Sequence, residues 1–279
     1  MMSDPANPSL PSPRRVRAGQ VELSVLDVGR GMPVVLVHGF PLDYTMWEAQ
    51  IAFLGSRLRV IAPDLRGFGA SDVTPGTASM SQMADDLAAL LDALDIDEPV
   101  VICGLSMGGY VALEFWRRHA ARLRALVFCD TRAAADAPAA AEARLETAQR
   151  ILSEGTGPLA EGMLPKLFAA ETLEHSADVT GAARQVVLNT PPEGAAAALR
   201  GMRERSDFTD ALSEIAVPTL VIVGEQDVIS PVDEMRDMAA GIPNAEFVIL
   251  PSAGHMSPME NPAGFNEAIE QFLTRVERS

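Results

Sequence analysis

The sequence predicts an α/β protein: a mainly parallel β-sheet flanked by helices and interrupted once by a helical insertion. Three observations predict it. Short, continuously apolar runs alternate with stretches of helical periodicity between Val21 and Cys129. The same alternation resumes at Thr219 and runs to Val276. Between these two parts, residues 131–207 are rich in Ala, Glu and Arg and hold no convincing strand.

Each element has its own local reason. Residues 1–19 carry Pro5, Pro8, Pro11 and Pro13 among scattered Ser and Arg, and read as a flexible tail. Arg14-Arg15 is followed by no apolar stretch, so no export signal is expected. Residues 21–27 alternate Val and Leu with polar side chains and stop at Gly29-Arg30-Gly31, a hairpin-like turn. Val34-Val35-Leu36-Val37 is apolar throughout, as expected of a strand covered on both faces. Residues 59–62 repeat that pattern. Met83, Leu87, Leu90, Leu91 and Leu94 then recur at helical spacing, with Asp85, Asp86 and Asp92 on the polar side. Val100-Val101-Ile102-Cys103 is a third buried strand; a helix follows through Val111, Phe115 and Trp116, and residues 125–129 form a fourth strand.

Past this point the rhythm breaks. Gly155-Thr156-Gly157-Pro158 and Pro191-Pro192 punctuate residues 131–207, which read as several short helices forming a cap. Residues 219–223, a helix over 232–240, residues 246–250 and a closing helix over 262–276 complete the pattern. The expected organisation is a tail over 1–19, a first core part over 20–130, the cap over 131–207 and a second core part over 208–279.

Composition excludes several classes of function. Among 279 residues, 38 Asp and Glu face 22 Lys and Arg, a formal charge of −16. Such a surface repels phosphate backbones and anionic lipid, so neither nucleic acid nor membrane is an expected partner. No run of about 18 apolar residues occurs, and no membrane span is expected. Cys103 and Cys129 both sit in apolar runs and make no disulfide framework, which points to a cytoplasmic setting.

The chemistry centres on Gly104-Leu105-Ser106-Met107-Gly108, a G-x-S-x-G pattern between a buried strand and a helix. A serine on a tight strand-to-helix turn sits in strained backbone, and its neighbours must be small where chain segments approach. The hydroxyl needs a base. His119, after Arg117-Arg118, and His175, in a polar stretch, read as surface residues. His38 and His255 follow strands at the C-terminal edge of the sheet, where ligands bind in open parallel sheets. The loop Pro251-Ser252-Ala253-Gly254-His255 could lift an imidazole over Ser106. A carboxylate at another strand end would complete the set: Asp227 in Gly224-Glu225-Gln226-Asp227 is preferred to Glu225, with Asp130 as its rival. The order Ser106, Asp227, His255 matches one of the known chain orders of a serine triad.

These stretches, with Val37-His38-Gly39-Phe40 and Pro63-Asp64-Leu65-Arg66-Gly67-Phe68-Gly69, resemble the α/β-hydrolase-fold superfamily, in particular its small capped serine esterases and lactonases. The resemblance covers nearly everything except the tail and cap. It implies Ser106 as nucleophile, His255 as base, Asp227 as acid, and an oxyanion hole from the backbone N–H groups of Phe40 and Met107. It also implies a structural His38 and no metal or organic cofactor. Enol-lactonases of the group share the Gly-Leu-Ser-Met-Gly-Gly elbow but tend to carry Ser-Asn-Ser where this chain has His38-Gly39-Phe40.

The segment 63–69 lacks the Gly-Lys-Ser/Thr ending of a phosphate loop and reads as a turn. Asp233, Glu234 and Asp237 read as the solvated face of a helix rather than a metal site. Tyr44 and Phe168 are the candidate substrate-binding side chains, with Met163, Leu164 and Leu167 beside Phe168 in a pocket roof. The expected function is hydrolysis of a small carboxylic ester or lactone through an acyl-enzyme on Ser106. A ligand receptor, a cofactor-free oxygenase and a C–C hydrolase or perhydrolase are the alternatives on the same fold.

Overall fold

The computed structural model describes residues 10–278. Eight strands form one sheet in the order β1-β2-β4-β3-β5-β6-β7-β8. They are β1 (Arg14–Ala18), β2 (Val21–Val28), β3 (Pro33–Val37), β4 (Arg59–Pro63), β5 (Val100–Leu105), β6 (Leu123–Cys129), β7 (Thr219–Gly224) and β8 (Glu246–Leu250). β1 and β2 run antiparallel to their neighbours; all other pairs are parallel. The central strands β3, β5 and β7 are buried at every position, which is why they read as unbroken apolar runs.

The tail reading of residues 1–19 is corrected at Arg14. Residues 14–18 pair with β2 as an edge strand, and residues 1–9 lie outside the described residues. β1 offers only Val16 and Ala18 to the core, so its apolar signal was too thin to register beside four prolines. Its arginines do a different job: Arg14 pairs with Asp27, and Arg15 with Glu22 and Asp72. Charged side chains on an edge strand discourage further strand addition.

Helix α1 (Glu48–Leu54) joins β3 to β4, whereas α2 (Met80–Ala93) crosses back to β5 and α3 (Met107–His119) leads on to β6. Right-handed crossovers in opposite directions place α1 and the pair α2–α3 on opposite faces. α2 starts at Ser79, whose hydroxyl accepts the Gln82 N–H at 3.1 Å, a serine N-cap. After β7 come α9 (Val232–Gly241) and, beyond β8, the short α10 (Ser257–Glu260) and the long α11 (Pro262–Arg278). α11 buries Phe265, Ile269, Phe272, Leu273 and Val276 along one stripe and packs on α1, β6, β7 and β8. Trp47, fully buried against Phe265, is core rather than site.

The sequence between β6 and β7 forms α4 (Pro138–Glu154), α5 (Gly157–Leu167), α6 (Ala170–His175), α7 (Ala177–Asn189) and α8 (Pro192–Arg203), with no strand among them. The two ends of this insertion meet. Phe208 N–H donates to Ala133 C=O at 3.0 Å, and Ala135 N–H to Asp207 Oδ2 at 3.1 Å. Beside that neck, Asp136 accepts from both Arg144 and Arg205, and Arg205 stacks over Tyr110 of α3 at 4.3 Å. The chain runs from β3 to β4 on one side and to β5 on the other, so the switch of direction falls between β3 and β5. Ligand sites of open α/β sheets lie at such a switch, beyond the C-terminal strand ends.

Candidate active site

Ser106 follows β5 and caps α3 with φ +52° and ψ −113°, a region that non-glycine residues occupy only under constraint. The constraint is visible. Its N–H donates to Cys129 C=O at 2.9 Å, while its own C=O accepts the Gly109 N–H and the Thr131 hydroxyl at 2.9 and 2.8 Å. The flanking glycines are sterically required. A Cβ on Gly104 would stand 2.3 Å from the Gly108 carbonyl oxygen, and one on Gly108 would stand 2.2 Å from that of Val37. The five-residue pattern is therefore the imprint of a turn folded tightly onto β3.

The register of β3 on β5 pairs Val37 with Gly104, which brings the loop His38-Gly39-Phe40 alongside Ser106. Among the described residues, neither the Phe40 N–H nor the Met107 N–H donates a hydrogen bond. Met107 opens α3, so its N–H is one of the donors that no helix can satisfy internally. His38 is fully buried: Nε2 accepts the Leu65 N–H at 2.9 Å, and Nδ1–H faces Gly39 C=O at 3.0 Å. Burial lowers its pKa and keeps the ring neutral, so His38 staples the β3 loop to the β4 loop.

His255 and Asp227 are brought together. His255 Nδ1 lies 2.8 Å from Asp227 Oδ2, with both side chains almost wholly buried. Asp227 Oδ1 accepts the Ile229 and Ser230 N–H groups at 2.7 and 2.9 Å, so three donors converge on one carboxylate. Nδ1–H donation leaves Nε2 as the acceptor. Among the described residues the Ser106 hydroxyl makes no hydrogen bond to the imidazole; the two share the C-terminal edge of the sheet. Glu225 is exposed and caps the Ser252 N–H at 3.2 Å, outside this arrangement. Asp130, the rival acid, reaches the Gly224 N–H and the Ser257 hydroxyl instead of His255. His119 pairs with Asp85, and His175 is exposed beside Glu174.

Sequence reasoning missed Glu260. Its carboxylate accepts the Gly254 N–H at 2.9 Å, and the Ala169 N–H and Thr172 hydroxyl both at 2.7 Å. It thereby ties the histidine loop to the junction of α5 and α6, aided by Met256 N–H donating to Leu167 C=O. Burial raises its pKa despite those donors. Lying five residues past the base in an ordinary acidic helix start, it carries no sequence signal.

A cavity of about 420 Å³ opens between Phe40 and the helices α4, α5 and α8. Leu159, Met163 and Leu199 line it, and its charged lining residues are two arginines, Arg144 and Arg150. Tyr44 and Phe168 are not part of this wall. Phe168 is buried against Gly254, and Tyr44 N–H donates to Asp64 beside the β4 turn. In that turn Arg66 makes a buried bidentate pair with Asp86, a structural use of the segment 63–69. Among the described residues, no three His, Cys, Asp or Glu side chains converge as metal ligands.

A family model for the alpha/beta hydrolase fold matches residues 32–262, well over half of the chain. The chain belongs to this family. Among curated relatives, this alpha/beta hydrolase is 30% identical to 3-oxoadipate enol-lactonase 2 of Acinetobacter baylyi over 87% of its own length and 88% of the relative's. Among solved structures, it superposes with TM-score 0.93 on a thermophilic esterase from Thermogutta terrifontis with malate bound, at 48% identity, covering 95% and 99% of the two chains. The enol-lactonase of Burkholderia xenovorans matches with TM-score 0.88 at 30% identity over 94% and 100%. A small-molecule hydrolase is the function class these relatives share.

Proposed function

We propose that the chain is a serine hydrolase that cleaves a small carboxylic ester or lactone through an acyl-enzyme on Ser106. The observation that carries this reading is the buried His255–Asp227 pair at the same sheet edge as a strained serine flanked by two unused backbone N–H groups. His255 Nε2 takes the Ser106 proton as the hydroxyl attacks the acyl carbon. Asp227 holds the imidazole in the required tautomer and stabilises the imidazolium. The Phe40 and Met107 amides receive the charge that develops on the carbonyl oxygen, each contributing a few kcal/mol, typically about 3. The alcohol leaves with the proton from His255. Water, activated by the same imidazole, then releases the acid.

A finer assignment concerns the acyl part. The cavity beside Phe40 is apolar apart from Thr147, Arg144 and Arg150, the last paired with Glu154 at 3.0 Å, in a protein with a charge of −16. Arg144 is held by Asp136, which Arg205 shares, so this group of three side chains carries a net positive charge. The Thermogutta esterase binds malate, a dicarboxylate. Together these support an ester or lactone that carries a carboxylate remote from the scissile bond.

The test has two arms. A fluorophosphonate probe should label Ser106 alone, and p-nitrophenyl acetate should be turned over continuously rather than in a single burst. A half-ester of a dicarboxylic acid should be preferred to the neutral diester, and Arg150→Ala should erode that preference. Labelling elsewhere refutes Ser106 as the nucleophile, a burst without turnover refutes a hydrolase, and equal rates on both esters refute the carboxylate.

A further inference from the structure

Three consecutive residues at the C-terminal end of β6, Cys129, Asp130 and Thr131, each hold a different part of the site. Cys129 C=O accepts the Ser106 N–H, and the Thr131 hydroxyl donates to Ser106 C=O. Between them, the Asp130 side chain spans the other two loops. Its Oδ1 accepts the N–H of Gly224, three residues before Asp227, at 2.8 Å. Its Oδ2 accepts the hydroxyl of Ser257, two residues after His255, at 2.5 Å. The backbone joins in, since Asp130 C=O accepts the Ser230 hydroxyl at 3.2 Å. Asp130 is fully buried and sits at φ +45°, a second constrained position at the same sheet edge.

The charge balance here is unusual. Two carboxyl groups, Asp130 and Asp227, share one buried site, where Ser230 donates its N–H to Asp227 Oδ1 and its hydroxyl to Asp130 C=O. Among the described residues, no arginine or lysine pairs with either; His255 is the single group able to carry positive charge, and it belongs to Asp227. Asp227 has three donors, including the imidazole. The groups facing Asp130 are Asp227, Ser257 and the Cys129 thiol, with the Cys103 sulfur 3.6 Å behind that thiol. None of them stabilises a second negative charge as a cation would. Like charges in one buried site push one group into its neutral form.

We propose that Asp130 is a positioning residue: a buried, neutral carboxylic acid that ties the acid loop to the base loop. Its Oδ1 keeps the Gly224 N–H and its Oδ2 keeps the Ser257 hydroxyl. The loops that carry Asp227 and His255 are thereby fixed relative to each other, which holds the imidazole against its carboxylate. Burial and the neighbouring Asp227 charge do push Asp130 well above the ordinary carboxylate range, in accord with this geometry.

Protonation linkage gives a readout that a purely structural role would not move. The folded protein holds a proton on Asp130 that the unfolded chain releases above about pH 4. Stability from this group is therefore full below that pH and is lost as pH rises toward the folded value. Asp130→Asn keeps the shape and has no proton to lose. Urea unfolding of both proteins between pH 5 and 8 should show the wild type losing ground to Asp130→Asn from pH 5 upward, by up to about tenfold in unfolding constant per pH unit until the folded value is passed. A ratio that stays constant over that range means an ionised Asp130 and overturns the proposal.

The second arm reads catalysis and rests on the serine-hydrolase reading. Asp130→Ala should lower kcat at least tenfold with KM little changed, and Asp130→Asn should restore most of the loss. An unaltered kcat in Asp130→Ala, or an Asp130→Asn variant as damaged as Asp227→Asn, also overturns it. If Asp130→Ala does not fold, the pH series of Asp130→Asn decides alone. Failure of Ser106 labelling would sink the hydrolase reading and leave the pH series standing.

Discussion

Ser106 occupies its strained conformation because the Cys129 carbonyl on β6 holds its N–H, while the Gly109 N–H and the Thr131 hydroxyl hold its C=O. None of those partners touches the hydroxyl. Ser106→Ala should therefore leave unfolding unchanged while lowering kcat on p-nitrophenyl acetate by about 10⁴–10⁶. Activity above a tenth of wild type would assign the nucleophile elsewhere. Asp227→Asn should depress kcat by up to about 10⁴ with little change in KM, because an amide permits the wrong imidazole tautomer. At this scale the sequence was informative where chemistry demands a fixed local pattern. Ser106 announces itself through glycines that a Cβ would turn into collisions. Asp227 is preferred to Glu225 by its place along a loop, and the structure pairs it with His255 at 2.8 Å. The uses of Asp130 and Glu260 were not legible, since their partners lie up to 127 residues away and no spacing encodes them.

Among the helices between β6 and β7, apolar residues separate by what they face. Met163 lines the cavity beside Phe40, whereas Leu167 is 1% exposed and packs into the core. Met163→Ala should shift the ratio of kcat/KM for long against short acyl esters by about 1–3 kcal/mol with little effect on melting. Leu167→Ala should cost about 2–5 kcal/mol of stability and slow all esters in proportion. The periodicity of α5 showed both as one apolar stripe and could not sort them, because facing is a property of the neighbours. Helix α1 and strand β1 escaped notice for a related reason: each is short, and each takes its order from tertiary partners such as Gln50 on Pro258 and Arg15 on Asp72. The neck of the insertion carries its own pH response. Burial works to raise the Asp136 pKa, but the Arg144 and Arg205 guanidiniums outweigh it and hold the carboxyl below the usual range. A depressed folded value means stability that is present above about pH 4 and lost as pH falls through the folded value. Asp136→Asn should be less stable near neutrality, by about 3 kcal/mol at the low end for a broken buried pair. Its unfolding free energy should fall less steeply than that of wild type between pH 5 and 2, as circular dichroism would record.

Across the whole molecule, an excess of 16 negative charges surrounds a cavity mouth that holds two arginines. The two act over different distances. Diffuse repulsion of an anionic substrate is screened within about 8 Å at physiological ionic strength, while contacts inside the cavity are screened much less. Raising salt from about 0.05 to 0.5 M, over which the Debye length shrinks severalfold, should increase kcat/KM for a half-ester and leave a neutral ester unchanged. A fall for the half-ester would place the arginines outside the screened approach. The parallel sheet and its flanking layers were legible because buried strands and amphipathic helices differ in period. That the insertion leaves and re-enters the sheet at one point was not, since Ala133 and Phe208 meet only in three dimensions. A segment whose two ends touch is interchangeable. Exchanging residues between that junction for the corresponding helices of another family member asks nothing new of the β6–β7 register, which aligns Leu126 with Thr219 beneath it. The molecule is thus built as a socket with a replaceable fitting, and substrate range can be transplanted without rebuilding the machinery that breaks the bond.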